Sequence, residues 1–254
     1  MKQLNQNDEF SYRQQGQHLS DTHQWDMLLG SRGIVVIAPH PDDEILGCGA
    51  LMAACAAQGL PVWVIYLTDG GASRPDLTAH ERKRLVLQRQ DEAIAGLKAL
   101  GVPSTSALFV GAPDGQLHTS KAHAKLATYK LHDLILQGSV SSVFVTSQCD
   151  AHVDHQSAYA LAVRALVSYP GIQLYTYPVS SRIDHDACPV SQSIFDIRLN
   201  TSSFVGQKRA ALGCHVSQLQ TQFPIQGFTL APEIVEEMCS APEYFQAMDI
   251  PYVS

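Results

Sequence analysis

The feature that most constrains this chain is a set of short, unbroken apolar runs alternating with segments of helix length. Ile34-Val35-Val36-Ile37-Ala38 and Val62-Trp63-Val64-Ile65-Tyr66-Leu67 carry no polar face. A strand with one wet side alternates apolar and polar residues, so a strand apolar at every position must be covered on both sides, as in a parallel sheet between layers of helices. Further strands are expected at residues 107–110, 140–146 and 173–177, with a weaker one at 194–198. Helices are expected at 45–58, 79–100 and 120–137. Another begins just after His155, where Ala158, Leu161, Ala162, Ala165 and Leu166 recur at helical spacing. The 79–100 helix should bury Val86, Ala93, Ile94, Leu97 and Leu100. Weaker helical patterns follow at 206–219 and 233–239. The alternation predicts a Rossmann-like three-layer α/β/α fold with a mostly parallel central sheet.

With 254 residues and 45% hydrophobic content, the chain can bury one substantial core. Residues 1–30 are rich in Gln, Asn and Asp without a sustained period, so they read as a polar extension, and 31–254 as one domain. A formal charge of −7 with 17 thinly spread Lys and Arg leaves no basic stripe for a phosphate backbone, which argues against nucleic acid. The N-terminus has no apolar leader pattern and no window is long enough to span a membrane. The six cysteines form no CxxC pair, as expected of reduced thiols. A cytoplasmic protein is the expectation; whether it forms a homo-oligomer is open.

The candidate chemistry sits at two strand-to-helix junctions. His40-Pro41-Asp42-Asp43-Glu44 follows the first apolar run, and His152-Val153-Asp154-His155 follows the fourth. In an open parallel sheet such junctions lie at the carboxyl ends of the strands, where ligands bind at the topological switch point. Two clusters far apart in sequence can therefore meet. Imidazoles and carboxylates without a nearby thiolate suit a catalytic zinc, which takes about three such ligands and leaves a position for water. One carboxylate must stay off the metal to accept a proton. Adjacent Asp42 and Asp43 suit that division, although acidic residues at a helix start are also good caps. Gly47-Cys48-Gly49 is too short for a dinucleotide fingerprint, and the acidic cluster before it would repel a pyrophosphate. Asp184-His185-Asp186 has metal-like composition but lies in a Pro- and Ser-rich stretch and reads as a solvated turn.

Ala38-Pro39-His40-Pro41-Asp42-Asp43-Glu44 and Ala151-His152-Val153-Asp154-His155 resemble the two signature motifs of the PIG-L/LmbE-like N-acetylglucosamine deacetylases, with Val153 where that family commonly has proline. Leu67-Thr68-Asp69-Gly70-Gly71, Arg89 with Glu92-Ala93, Pro113-Asp114-Gly115, and Lys208 with Ser217-Gln218 resemble family positions in the same order. The resemblance implies His40, Asp43 and His155 as ligands of one Zn2+ per chain, with another divalent metal as the substitute. It implies Asp42 as general base and His152, as imidazolium, stabilising the oxyanion or protonating the leaving amine, with Asp154 holding its ring. Arg89 and Asp114 resemble substrate contacts. The implied reaction is hydrolysis of the amide of a small-molecule N-acetyl amino-sugar conjugate, of N-acetylglucosamine type, to acetate and the free amine. The alternatives are an amidase of the same fold acting on a larger conjugate, and a carbohydrate-binding protein without catalysis.

Overall fold

The computed structural model describes residues 21–183, 197–219 and 227–251. Seven strands form the sheet: β1 (Ile34–Ala38), β2 (Val62–Thr68), β3 (Ala107–Ala112), β4 (Ser142–Thr146), β5 (Gln173–Tyr177), β6 (Ile197–Leu199) and β7 (Glu243–Met248), in the order β3-β2-β1-β4-β5-β7-β6. The first five pair in parallel, whereas β7 runs antiparallel to β5 and to β6. The chain moves outward from β1 through β2 to β3, then returns to place β4 on the other side of β1. The switch point of the sheet is thus the crevice at the carboxyl ends of β1 and β4.

The helices are α1 (Asp21–Leu29), α2 (Asp43–Ala57), α3 (Ala79–Ala99), α4 (Lys121–Leu136), α5 (Val153–Leu166), α6 (Ser180–Ile183), α7 (Val205–Leu212), α8 (Val216–Leu219) and α9 (Pro232–Ser240). Alternate residues of each central strand enter opposite cores. Val36, Val64 and Phe144 pack toward α2, α3 and α7, while Val35, Ile65 and Val143 pack toward α4 and α5. Both layers are apolar, which is why the strand sequences show no polar alternation. The expected three-layer fold is the observed one.

Several local readings differ. The α5 helix begins at Val153, so Asp154 and His155 lie in its first turn instead of before it. On α3 the buried set is Leu85, Arg89, Glu92, Ala93, Gly96 and Leu97; two polar side chains share the inward face, because that face borders the functional site as well as the core. Part of the polar N-terminal stretch is helical: in α1, Leu28 and Leu29 are buried, and each fully buried leucine contributes roughly 1.5–3 kcal/mol. The helix expected over 206–219 is broken between α7 and α8, and β7 has no counterpart in the sequence reading. Its Glu243 is fully buried, pairs with Lys208 Nζ at 2.7 Å, and accepts the N–H groups of Ala50 and Leu51. Lys208 also donates to the Leu46 carbonyl at 2.9 Å, so the Lys208–Glu243 pair ties α2 to β7.

Gly47 is required by packing and not by a nucleotide: a Cβ there would run into the Tyr177 ring, whose hydroxyl donates to the Ile37 carbonyl at 2.9 Å. The five cysteines among the described residues are free thiols, and none of the described helices is long and apolar enough to cross a membrane. Asp184-His185-Asp186 lies outside the described residues.

Candidate metal and hydrolytic centre

The two motifs meet at the switch point. His40 follows β1, Asp43 opens α2, His152 sits at the N-cap of α5 and His155 lies in its first turn. The ring centroids of His40 and His152 are 4.6 Å apart, those of His40 and His155 5.4 Å, and those of His152 and His155 5.1 Å. Asp43 Oδ2 lies 3.2 Å from His40 Nδ1 and 3.3 Å from His155 Nε2. Ligand atoms about 2.0–2.1 Å from a tetrahedral zinc stand roughly 3.3 Å from one another. Asp43 thus stands at ligand-like spacing from each of the two imidazoles.

Charge supports the same conclusion. Burial alone would keep both imidazoles neutral, yet contacts with Asp114, Asp154 and Asp43 raise the His40 pKa well above its usual value. For His155, Asp43 and Asp150 overcome burial and lift the pKa to about 9. Burial likewise disfavours the charged carboxylate of Asp43, but His155 and His40 hold its pKa well below the ordinary range. Carboxylates crowd a small buried volume, and positive charge there is strongly favoured. A divalent cation supplies it while leaving the imidazoles as neutral ligands. His40 Nε2 is buried 3.1 Å from Asp114 Oδ1 and 3.4 Å from Asp154 Oδ2, without the alignment of a hydrogen bond to either. Ligand atoms of His40, His152 and His155 also fall within 4.8 Å of one another, as do those of His40, Asp114 and Asp154. His40 is common to every arrangement.

Behind His155 stands a residue the sequence reading missed. Asp150 Oδ2 lies 2.9 Å from His155 Nδ1 and accepts the Val179 N–H at 3.1 Å. A carboxylate on the far ring nitrogen fixes the tautomer and aims the other nitrogen at a metal. The only signal in the sequence was one more acidic residue in the loop between β4 and α5.

Asp42 is separated from this cluster by its backbone. Its φ of 140° and ψ of −29° make it the one non-glycine residue with positive φ among the described residues. Such strain costs on the order of 1–3 kcal/mol and persists only where surrounding contacts enforce it. Here Arg89 enforces it: Nη2 contacts Asp42 Oδ2 at 3.1 Å and donates to the Pro41 carbonyl at 2.6 Å, while Nη1 donates to the Gly70 carbonyl at 2.8 Å. Gly70 itself has φ of 63°, and a Cβ there would strike the guanidinium. The Asp42 side chain makes no capping hydrogen bond, so its presence at the helix start is not explained by capping. Burial pushes its pKa up to about 7, with Arg89 opposing. Glu44 accepts from Tyr66 Oη and from the Asp42 N–H, and burial raises its pKa to about 8.

Three expected placements change. Arg89 is 2% exposed and turned inward, so it grips Asp42 instead of facing a ligand. Asp154 does not hold the His152 ring with its carboxylate; those oxygens accept the N–H groups of Gly115 and Leu117, because the first turn of α5 faces that loop. The link to His152 is the backbone, with Asp154 N–H donating to His152 Nδ1 at 3.2 Å. A nitrogen that accepts a hydrogen bond carries no proton, and the His152 pKa is lowered by burial and by the neighbouring His40 and His155. Both effects favour the neutral ring over the expected imidazolium, with Nε2 as the nitrogen left to donate. Asp114 does border the centre: Oδ1 faces His40, Oδ2 accepts the Ala72 N–H at 2.9 Å, and His40 helps bring its pKa down to about 2 against the effect of burial.

Fold and centre together define a hydrolytic enzyme with its His/Asp machinery at the carboxyl edge of a parallel sheet. The chain belongs to the PIG-L family, whose profile, described as GlcNAc-PI de-N-acetylase, matches residues 35–166. A 1D-myo-inositol 2-acetamido-2-deoxy-alpha-D-glucopyranoside deacetylase of Streptomyces avermitilis is 24% identical over 86% of this chain and 92% of its own length. Among solved structures, the N,N'-diacetylchitobiose deacetylase of Pyrococcus horikoshii has a TM-score of 0.67 at 16% identity, over 98% of this chain and 95% of that one. GalB, the 4-carboxy-2-hydroxymuconate hydratase of Pseudomonas putida, has a TM-score of 0.64 at 17% identity, over 88% of this chain and 98% of that one. At such identities the likeness concerns the fold, and the chemistry has to be argued from the site.

Proposed function

We propose that this protein hydrolyses the amide of an N-acetylated amino sugar, of N-acetylglucosamine type, to acetate and the free amine. The observation that carries the reading is the division of the adjacent carboxylates: Asp43 lies between two imidazoles, while Asp42 is tied to Arg89. That is the separation of metal ligand from base that amide hydrolysis needs. His40, Asp43 and His155 would hold one divalent ion, zinc in the first instance. When bound, such an ion polarises the amide carbonyl and makes water acidic enough to react near neutral pH.

The remaining steps belong to the protein's own side chains. Asp42 accepts the proton of the attacking water, and a pKa near 7 lets one carboxyl group both take that proton and give it up. The strained backbone and the Arg89 contacts hold its orientation in advance. His152 Nε2–H donates to the developing oxyanion, and the proton that Asp42 took from water passes to the departing amine nitrogen, whose bond to the carbonyl carbon breaks. Asp114, at the border of the centre, accepts from sugar hydroxyls. The setting proposed is cytoplasmic.

The test is a screen of N-acetylglucosamine conjugates for amine and acetate release, with metal-stripped protein as the control. Turnover that disappears on chelation and returns with a divalent ion supports the reading. Release from longer N-acyl conjugates alone would redirect it to an amidase, and sugar binding without turnover would leave a binding protein.

A further inference from the structure

Beside the centre, a groove of about 470 Å3 runs between α4 and α5. Its near end is lined by Leu117 and Val153, which adjoin residues of the centre. Val153 sits between His152 and Asp154, and the Leu117 N–H donates to Asp154 Oδ1 at 3.0 Å. From there the groove follows α5 to Arg164, a distance of about 16 Å at 1.5 Å per residue. Its volume lies within the range of small-molecule sites, roughly 300–1,000 Å3.

The lining has a definite chemistry. Leu117, Ala124, Val153 and Leu161 give it an apolar wall, and Val153 leaves 40% of its surface exposed in it. Lys121 and Arg164 are its cations, and none of the lining residues is acidic. In a chain of net charge −7, an apolar channel with cations and no carboxylate favours an anion attached to an apolar body.

We propose that this groove receives the aglycone of the substrate, an apolar group ending in a phosphate or a carboxylate, while the N-acetyl sugar occupies the His/Asp centre. The assignment rests on the deacetylase reading for its sugar end. Its other end rests on the groove itself: Val153, next in the chain to His152, lines the groove together with the cations Lys121 and Arg164.

The experiment compares alkyl glycosides of N-acetylglucosamine that end in a phosphate, a carboxylate or a neutral hydroxyl, using the full chain loaded with zinc. The anionic glycosides should have KM values at least about tenfold below the neutral one, and that ratio should fall toward one in a Lys121→Glu/Arg164→Glu variant. The phosphate and carboxylate arms decide which anion is preferred. Equal KM values for all three glycosides, with turnover intact, would overturn the groove while leaving the deacetylase reading standing. If no glycoside is turned over, binding of hexyl phosphate measured by calorimetry decides the groove alone. Binding to the native protein that is lost in the variant supports it, and equal or absent binding overturns it.

Discussion

The Arg89 guanidinium lies 3.1 Å from Asp42 Oδ2, both side chains are almost fully buried, and the same arginine holds the carbonyls of Pro41 and Gly70. The pairing keeps a carboxylate charged in a place where burial would otherwise neutralise it, on a backbone that is strained. Asp42→Asn keeps the shape and an acceptor for Arg89 but cannot take a proton. Turnover should fall by about 10²–10⁴-fold, with metal content unchanged. Full turnover in that variant would remove the base assignment.

Arg89→Met leaves the Asp42 charge buried without its partner. Removing one member of such a pair costs about 3–5 kcal/mol, and urea unfolding should report a loss of that size. Activity should fall as well, because Asp42 would then hold its proton at neutral pH. A variant of native stability would mean that the pair does not hold the strained turn.

Asp150→Asn tests the carboxylate behind His155. Losing such a partner typically costs 10–100-fold in metal affinity or activity, and competition with a chelator should show weakened binding. Unchanged affinity would reduce Asp150 to a cap for the Val179 N–H.

Much of this was legible in the chain. Fully apolar strands betray a sheet covered on both faces, and the positions of His40 and His155 after strands placed them at the switch point. Arg89 was visible as a motif residue, but its direction was not. An α3 residue facing inward could equally have pointed at a ligand, and only packing against Gly70 settled the matter. Asp150 escaped because its meaning comes from a 2.9 Å contact with His155, and one loop aspartate resembles any other. The last strand was missed because Glu243 heads it, and a buried glutamate is tolerable only with Lys208 across from it. Neither residue announces the other in sequence.

His215 gives a prediction about pH. It is fully buried, neither ring nitrogen has a hydrogen-bond partner, and burial together with nearby Arg89 lowers its pKa to about 3. In the unfolded chain an ordinary histidine titrates near 6.5. Below that pH the unfolded state binds a proton that the folded state refuses, so stability present above about pH 6.5 is lost as the pH falls toward 3. The loss approaches roughly 1.4 kcal/mol per pH unit. Urea midpoints at pH 7 and pH 4.5 should therefore separate more in the native protein than in His215→Gln. An equal separation would show that His215 is protonated inside the fold.

His40, Asp43 and His155 are proposed to hold one metal ion, with Asp42 paired to Arg89 and off the metal. Anomalous diffraction from crystals grown with zinc tests this assignment most directly. The expected result is a single strong peak bonded to His40, Asp43 Oδ2 and His155 Nε2, with Asp42 outside the coordination sphere. A peak held by His40, Asp114 and Asp154, or no peak among these residues, would contradict it.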